Sequence, residues 1–412
     1  MSKILVENSL PEIDGLPPLE KRSESEIPGA GRILILTVPH GAAHQRIADA
    51  LKRAMLGIQP DLAIEVVNVL DVLPRWFCTY YNSYEIPLKY WPSLWGWIEN
   101  MQHTKDSTGP GWLYRKAARP LSEFLSAFQA DTVIVTEAGV CELAAMAKRS
   151  TKNQFRLVAS PPGVDIDRAW TQPEVDLYTV GPGEAAARLR DLEVAEGKIL
   201  ACGVPIDPRF GSFSSKAEAR ERLRVAAHVP LVVVEFGGAG YGKPRRILGE
   251  LQKLDQAVQV VFIAGNNKKL EHELIPRCAG HSNYRVLGWV DNIHEWMAAA
   301  DILVGKPGGT TMMEAINSGL PLLALDPLPG EERRNCELIE GWEVGYWIRY
   351  VEDLSPTIAR ILADQSELVS LRRHARALAR PDAALDAAES IVRLRRQKTA
   401  PSLVENAEVV LG

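Results

Sequence analysis

The chain has 412 residues, 46% of them hydrophobic and 24% charged, with a net charge of −5. That length exceeds one ordinary core and implies two domains, and the acidic balance offers no basic face to a nucleic acid. Five scattered cysteines (Cys78, Cys141, Cys202, Cys278, Cys336) lack zinc or disulfide-framework spacing, the start MSKILVENSLPEIDG lacks a signal-peptide core, and no apolar run reaches 18 residues, so a cytoplasmic chain without a membrane span is expected.

Residues 1–30 are acidic, proline-bearing and aperiodic, and read as an extension. RILILTV then reads as a buried strand, HQRIADALKRAML as an amphipathic helix and IEVVNVL as a second strand. TVIVTEA, FRLVAS, DLYTV and KILACGV continue the series, and a proline- and glycine-marked joint follows near 203–213. LVVVEF, QVVFIAG, YRVLGWV, ILVGKP and LPLLALD form a second series. Short apolar strands alternating with helices imply parallel sheets, hence two α/β domains, over 31–208 and 209–380, with residues 381–412 as a C-terminal helix and tail. Ligands of such sheets bind beyond the C-terminal strand ends, which points to the cleft between the domains.

Three glycine turns follow strands: HGAAH, EFGGAGYGK and GKPGGTT. GGAGYGK fits seven positions of a P-loop, but Pro244 replaces the hydroxyl that would hold Mg²⁺, and no G-x-G-x-x-G is present there. The plainer reading of that turn is a tight connection, with Pro244 opening the next helix. In GKPGGTT the glycines let a ligand approach the backbone, and the following helix N-terminus offers N–H groups to a phosphate. Thr311 and Glu314 also have capping-box spacing, which would start the helix without a ligand.

The run LVGKPGGTTMMEAINSGLPLLALDPLPGEERRN resembles the donor signature of the monogalactosyldiacylglycerol synthase and processive diacylglycerol glucosyltransferase group, relatives of MurG-type N-acetylglucosaminyltransferases. ILTVPHGAAHQRIADAL, LACGVPIDPRF, VVEFGGAGYG, FIAGNNKKL and VLGWVDNIHEWMAAADILV match in the same order, so the resemblance covers roughly residues 31–380. It implies a GT-B fold: two Rossmann-like domains with parallel sheets facing across a cleft, the second holding a UDP-sugar. By motif, Gly237, Gly238, Gly308, Gly309, Thr310 and Thr311 would surround the diphosphate. Trp289 and Val290 would lie against uracil, Glu314 would take the ribose hydroxyls, and Glu331, Glu332 and Asn335 would meet the donor sugar. His44 matches the catalytic base, with His40 as its rival.

The implied reaction is inverting transfer of a hexose to a diacylglycerol-type hydroxyl, with no cofactor or metal, at the inner membrane face. The chemistry is coherent: an imidazole can take the acceptor proton, and helix-terminal N–H groups can meet the charge on departing UDP. Departures from the family are Ala42 and Ala43 in the N-terminal turn, and Glu331 where an amide is usual. The segment 75–97, RWFCTYYNSYEIPLKYWPSLWGW, is rich in aromatics. It reads either as core or as an interfacial surface, with Trp91, Trp95, Trp97 and, further on, Trp170 as acceptor or membrane residues. Arg372, Arg373, Arg376 and Arg380 could add attraction to anionic lipid. Asp165-Ile-Asp167 has the D-x-D spacing of metal-dependent enzymes of the other major glycosyltransferase fold, and is read as chance. Two alternatives stay open: a soluble small-molecule acceptor, or a UDP-sugar 2-epimerase. A non-catalytic UDP-sugar-binding protein is a rival of a different class.

Overall fold

A computed structural model describes residues 31–396 apart from 40–41, 84, 104–108, 151–154, 182, 212–214 and 238–242; a few further side chains in the aromatic segment, Trp95 among them, are also outside it. The first strands are β1 (Arg32–Thr37), β2 (Ala63–Asn68), β3 (Thr132–Val135), β4 (Arg156–Ala159), β5 (Leu177–Thr179) and β6 (Ile199–Leu200). They form one parallel sheet in the order β2-β1-β3-β4-β5-β6. Then come β7 (Leu231–Glu235), β8 (Gln259–Ile263), β9 (Tyr284–Leu287), β10 (Ile302–Gly305), β11 (Leu322–Ala324) and β12 (Gly345–Trp347), in the order β12-β11-β10-β7-β8-β9.

Every strand expected from the sequence forms, because these apolar runs are covered on both faces by helices. Alternation sorts the faces: Leu231 and Val233 join one core cluster while Val232 and Val234 join the other. Central residues such as Ile33, Leu36, Val133 and Val234 are fully buried, each contributing about 1.5–3 kcal/mol relative to exposure. β12 is the unexpected strand; GYW is too short to show a pattern, and it forms by pairing with β11.

The chain crosses back at its end. Helix Ala383–Arg396 packs on the first helix, Ala43–Ile58, rather than on the second sheet. The expected basic lipid-facing surface is only partly available: Arg372 is drawn inward to Asp301 at 2.7 Å, beside Arg220 and Lys216. Among the described residues no helix is long and apolar enough to cross a membrane.

Candidate active site

β10 ends at Gly305, and the KPGG turn leads into helix Gly309–Asn317, every residue of which is buried. Gly308 is its N-cap and contributes no side chain, so no side-chain cap occupies the first-turn N–H groups of the helix. A Cβ on Gly309 would fall 2.9 Å from the Gly163 Cα and the Pro162 carbonyl. Only a glycine lets this turn approach the PPG turn of the first domain. The capping-box expectation fails, because the helix begins at Gly309 and Thr311 lies inside its first turn. Thr311 donates instead to Glu235, the residue that ends β7.

Glu235 and Glu314 are 5% and 2% exposed, and share one cation. Arg46, from the first helix, reaches across the cleft and places Nη1 2.9 Å and 2.8 Å from the two Glu314 carboxylate oxygens. Burial raises the Glu314 carboxyl to about 7 against the pull of Arg46, with Glu235 pushing further upward. Burial likewise raises Glu235, while Arg46 and the Thr311 hydroxyl oppose it. Arg46, Glu235, Gly237, Gly265, Trp289 and Val290 line one open hollow. Of the residues expected to hold the donor, Gly237, Trp289 and Val290 meet there, and Glu314 is linked to this lining through Arg46. Gly237 has a left-handed backbone (φ 67°); Gly238 lies outside the described residues.

His44 is the second residue of the helix that carries Arg46. Its Nδ1 lies 2.6 Å from the Thr136 carbonyl, just after β3. A carbonyl only accepts, so Nδ1 carries the proton in this contact, and in the neutral ring Nε2 is the nitrogen with the lone pair. The next residue, Glu137, accepts from the Tyr81 hydroxyl and from the Val140 N–H, which fixes this turn. His40 lies outside the described residues.

In the loop expected to meet the donor sugar, the Glu331 N–H donates to Glu99 at 2.6 Å, and Glu99 sits on helix Pro92–His103 of the first domain. Arg334 bridges Asp165 at 2.7 Å, Glu99 at 3.2 Å and Asn100 at 3.2 Å. Burial raises the Glu331 carboxyl to about 8, helped by Asp165, Glu99, Asp167 and Glu332. Glu332 pairs with Lys306 at 3.1 Å and accepts the Leu328 N–H. Asn335 is fully buried, and its Nδ2 donates to the Pro307 carbonyl, bracing the KPGG turn. The D-x-D reading also changes, since Asp165 belongs to this interdomain contact. Among the described residues no group of three or more His, Cys, Asp or Glu is arranged to hold a metal ion.

The aromatic segment splits. Phe77 and Tyr114 pack edge to face in the core, whereas Trp91 and Trp97 are 59% and 60% exposed, with Trp76, Tyr90 and Trp112 also outward. Trp170 corrects the remaining expectation. It is 4% exposed and packed beneath helix Ala138–Ser150, where the Cys141 thiol meets its carbonyl, so it touches neither membrane nor cleft.

Residues 242–338 match the glycosyltransferase family 28 C-terminal domain, the stretch holding Glu314 and the Glu331 loop. The chain is similar to that family over this stretch. Over 214 residues it is 26% identical to the processive diacylglycerol β-glucosyltransferase of Bacillus pumilus, covering 52% of this chain and 56% of that one. With the Bacillus subtilis enzyme of the same name it shares 22% over 350 residues, covering 83% and 90%. The crystal structure of Acinetobacter baumannii MurG superposes with a TM-score of 0.58 at 13% identity over 88% of this chain and 99% of that one. The fold is GT-B.

Within this site, sequence reasoning missed Arg46, Glu235, Glu99 and Lys306. Glu235 had a signal: a carboxylate closing the apolar run LVVV at a strand end where ligands bind. Lys306 stands in the KPGG turn itself, and its pairing with Glu332 was not read; Arg46 and Glu99 are polar positions that only long-range folding brings to the cleft.

Proposed function

We propose that the protein transfers a hexose from a UDP-sugar to the hydroxyl of a diacylglycerol-type lipid, inverting the anomeric carbon without a metal ion. The carrying observation is the Arg46–Glu314 contact, which brings the helix headed by His44 and the helix headed by Gly309 to one stretch of cleft. His44 Nε2 takes the acceptor proton as that oxygen attacks the anomeric carbon. The bond to UDP breaks in the same step, and its electrons pass to the β-phosphate oxygen. N–H groups at Gly309–Thr311 meet that charge, and the Thr136 carbonyl steadies the imidazolium. The relatives' name makes glucose the first sugar to try, and the outward tryptophans fit peripheral contact with a membrane.

The test offers UDP-glucose, UDP-galactose and UDP-N-acetylglucosamine, with EDTA, to diacylglycerol vesicles, to a soluble alcohol and to no acceptor. A glycolipid of inverted configuration is expected. Transfer only to the soluble alcohol, or inversion at C2 with no acceptor, would replace this reading.

A further inference from the structure

In this structure the carboxylate of Glu314 is already engaged. One nitrogen of Arg46 is almost equidistant from both oxygens, at 2.9 and 2.8 Å, so it sits on the open edge of the carboxylate. A vicinal diol binds that same edge, one hydroxyl to each oxygen. Glu314 is only 2% exposed, so almost none of the carboxylate is open apart from the edge that Arg46 holds. The Arg46 side chain, 29% exposed, has a route outward.

We propose that Arg46 is an internal occupant of the ribose site: its guanidinium holds the diol-binding edge of Glu314 in the empty enzyme, and nucleotide binds by displacing it. This rests on the donor-site reading above. The pair joins residue 46 of the first domain to residue 314 of the second, so it also ties the two halves of the cleft together until a nucleotide arrives. The diol hydroxyls replace the guanidinium on the buried carboxylate, which therefore never stands without a donor. Apparent affinity is lowered by the fraction of molecules whose edge is held closed.

Calorimetry of UDP and 2′-deoxy-UDP on the wild type, Arg46→Gln and Arg46→Lys tests this. The deoxynucleotide has one hydroxyl and cannot span both oxygens. Arg46→Gln is expected to bind UDP about tenfold tighter, with 2′-deoxy-UDP unchanged within about twofold. Arg46→Lys keeps a cation beside the two carboxylates, guards against a folding defect and should fall between. Unchanged or weaker UDP binding in Arg46→Gln, or an equal gain for both nucleotides, would overturn the proposal. UDP binding by none of the three proteins would sink the donor site itself.

Discussion

The two sheets have the same build and opposite cleft faces. Both have six parallel strands with helices on each side, and both send a turn and a helix N-terminus into the cleft. On the second sheet that face is a compact arrangement of Gly309, Thr311, Glu235 and Glu314, and the family 28 match falls entirely within this half. On the first sheet the face is assembled from His44, Thr136 and the PPG turn, and beside it helices 75–128 turn tryptophans to solvent. A diphosphate and a ribose have fixed shapes, so binding them constrains consecutive residues and leaves a motif. A lipid surface needs only amphipathic area, which many sequences supply.

The largest expected effect tests the division of labour. His44→Ala should lower transfer by about 10²–10⁴-fold with the UDP dissociation constant unchanged. Lost UDP binding would instead move His44 to the donor side. Replacing Trp91 and Trp97 together by serine should weaken vesicle binding by about tenfold or more, given the apolar area two indoles bury, and leave transfer to a soluble acceptor intact. Equal vesicle binding would take the membrane away from this face. The smallest effect lies where the two halves touch. Glu331 is held near 8 in the fold against an ordinary 4.5, so the folded protein keeps a proton that the unfolded chain loses. Stability therefore falls as pH rises between those values. Glu331→Gln removes the ionisable group and should be the more stable protein above pH 8, by on the order of 1 kcal/mol, and indistinguishable from wild type well below 4.5. A melting difference independent of pH would show a solvated carboxylate.

The strands and the glycine turn before helix Gly309–Asn317 were legible because burial on both faces and a tight strand-to-helix turn each leave local patterns. Thr311 and Glu314 show where local reading stops. The T-x-x-E spacing suits a cap, and only the start of the helix at Gly309 rules the cap out. Arg46 and Glu314 are 268 positions apart, and Arg334 and Asp165 are 169 apart, so no window contains either pair. Trp170 misled because an aromatic residue in a connecting segment looks the same whether it caps a core or faces a bilayer.

Helix Ala383–Arg396 belongs by position to the second half and by contact to the first. Its Ala387, Ala388, Ile391 and Val392 are buried, and Arg395 reaches Asp131 while Arg396 reaches Gln59. On the ribosome the first sheet is therefore finished long before its cover exists. The flank of helix Ala43–Ile58 waits bare until the last helix emerges, a natural place for chaperone attention. A chain stopped just after β12 would possess every strand of both sheets and still lack a closed first domain.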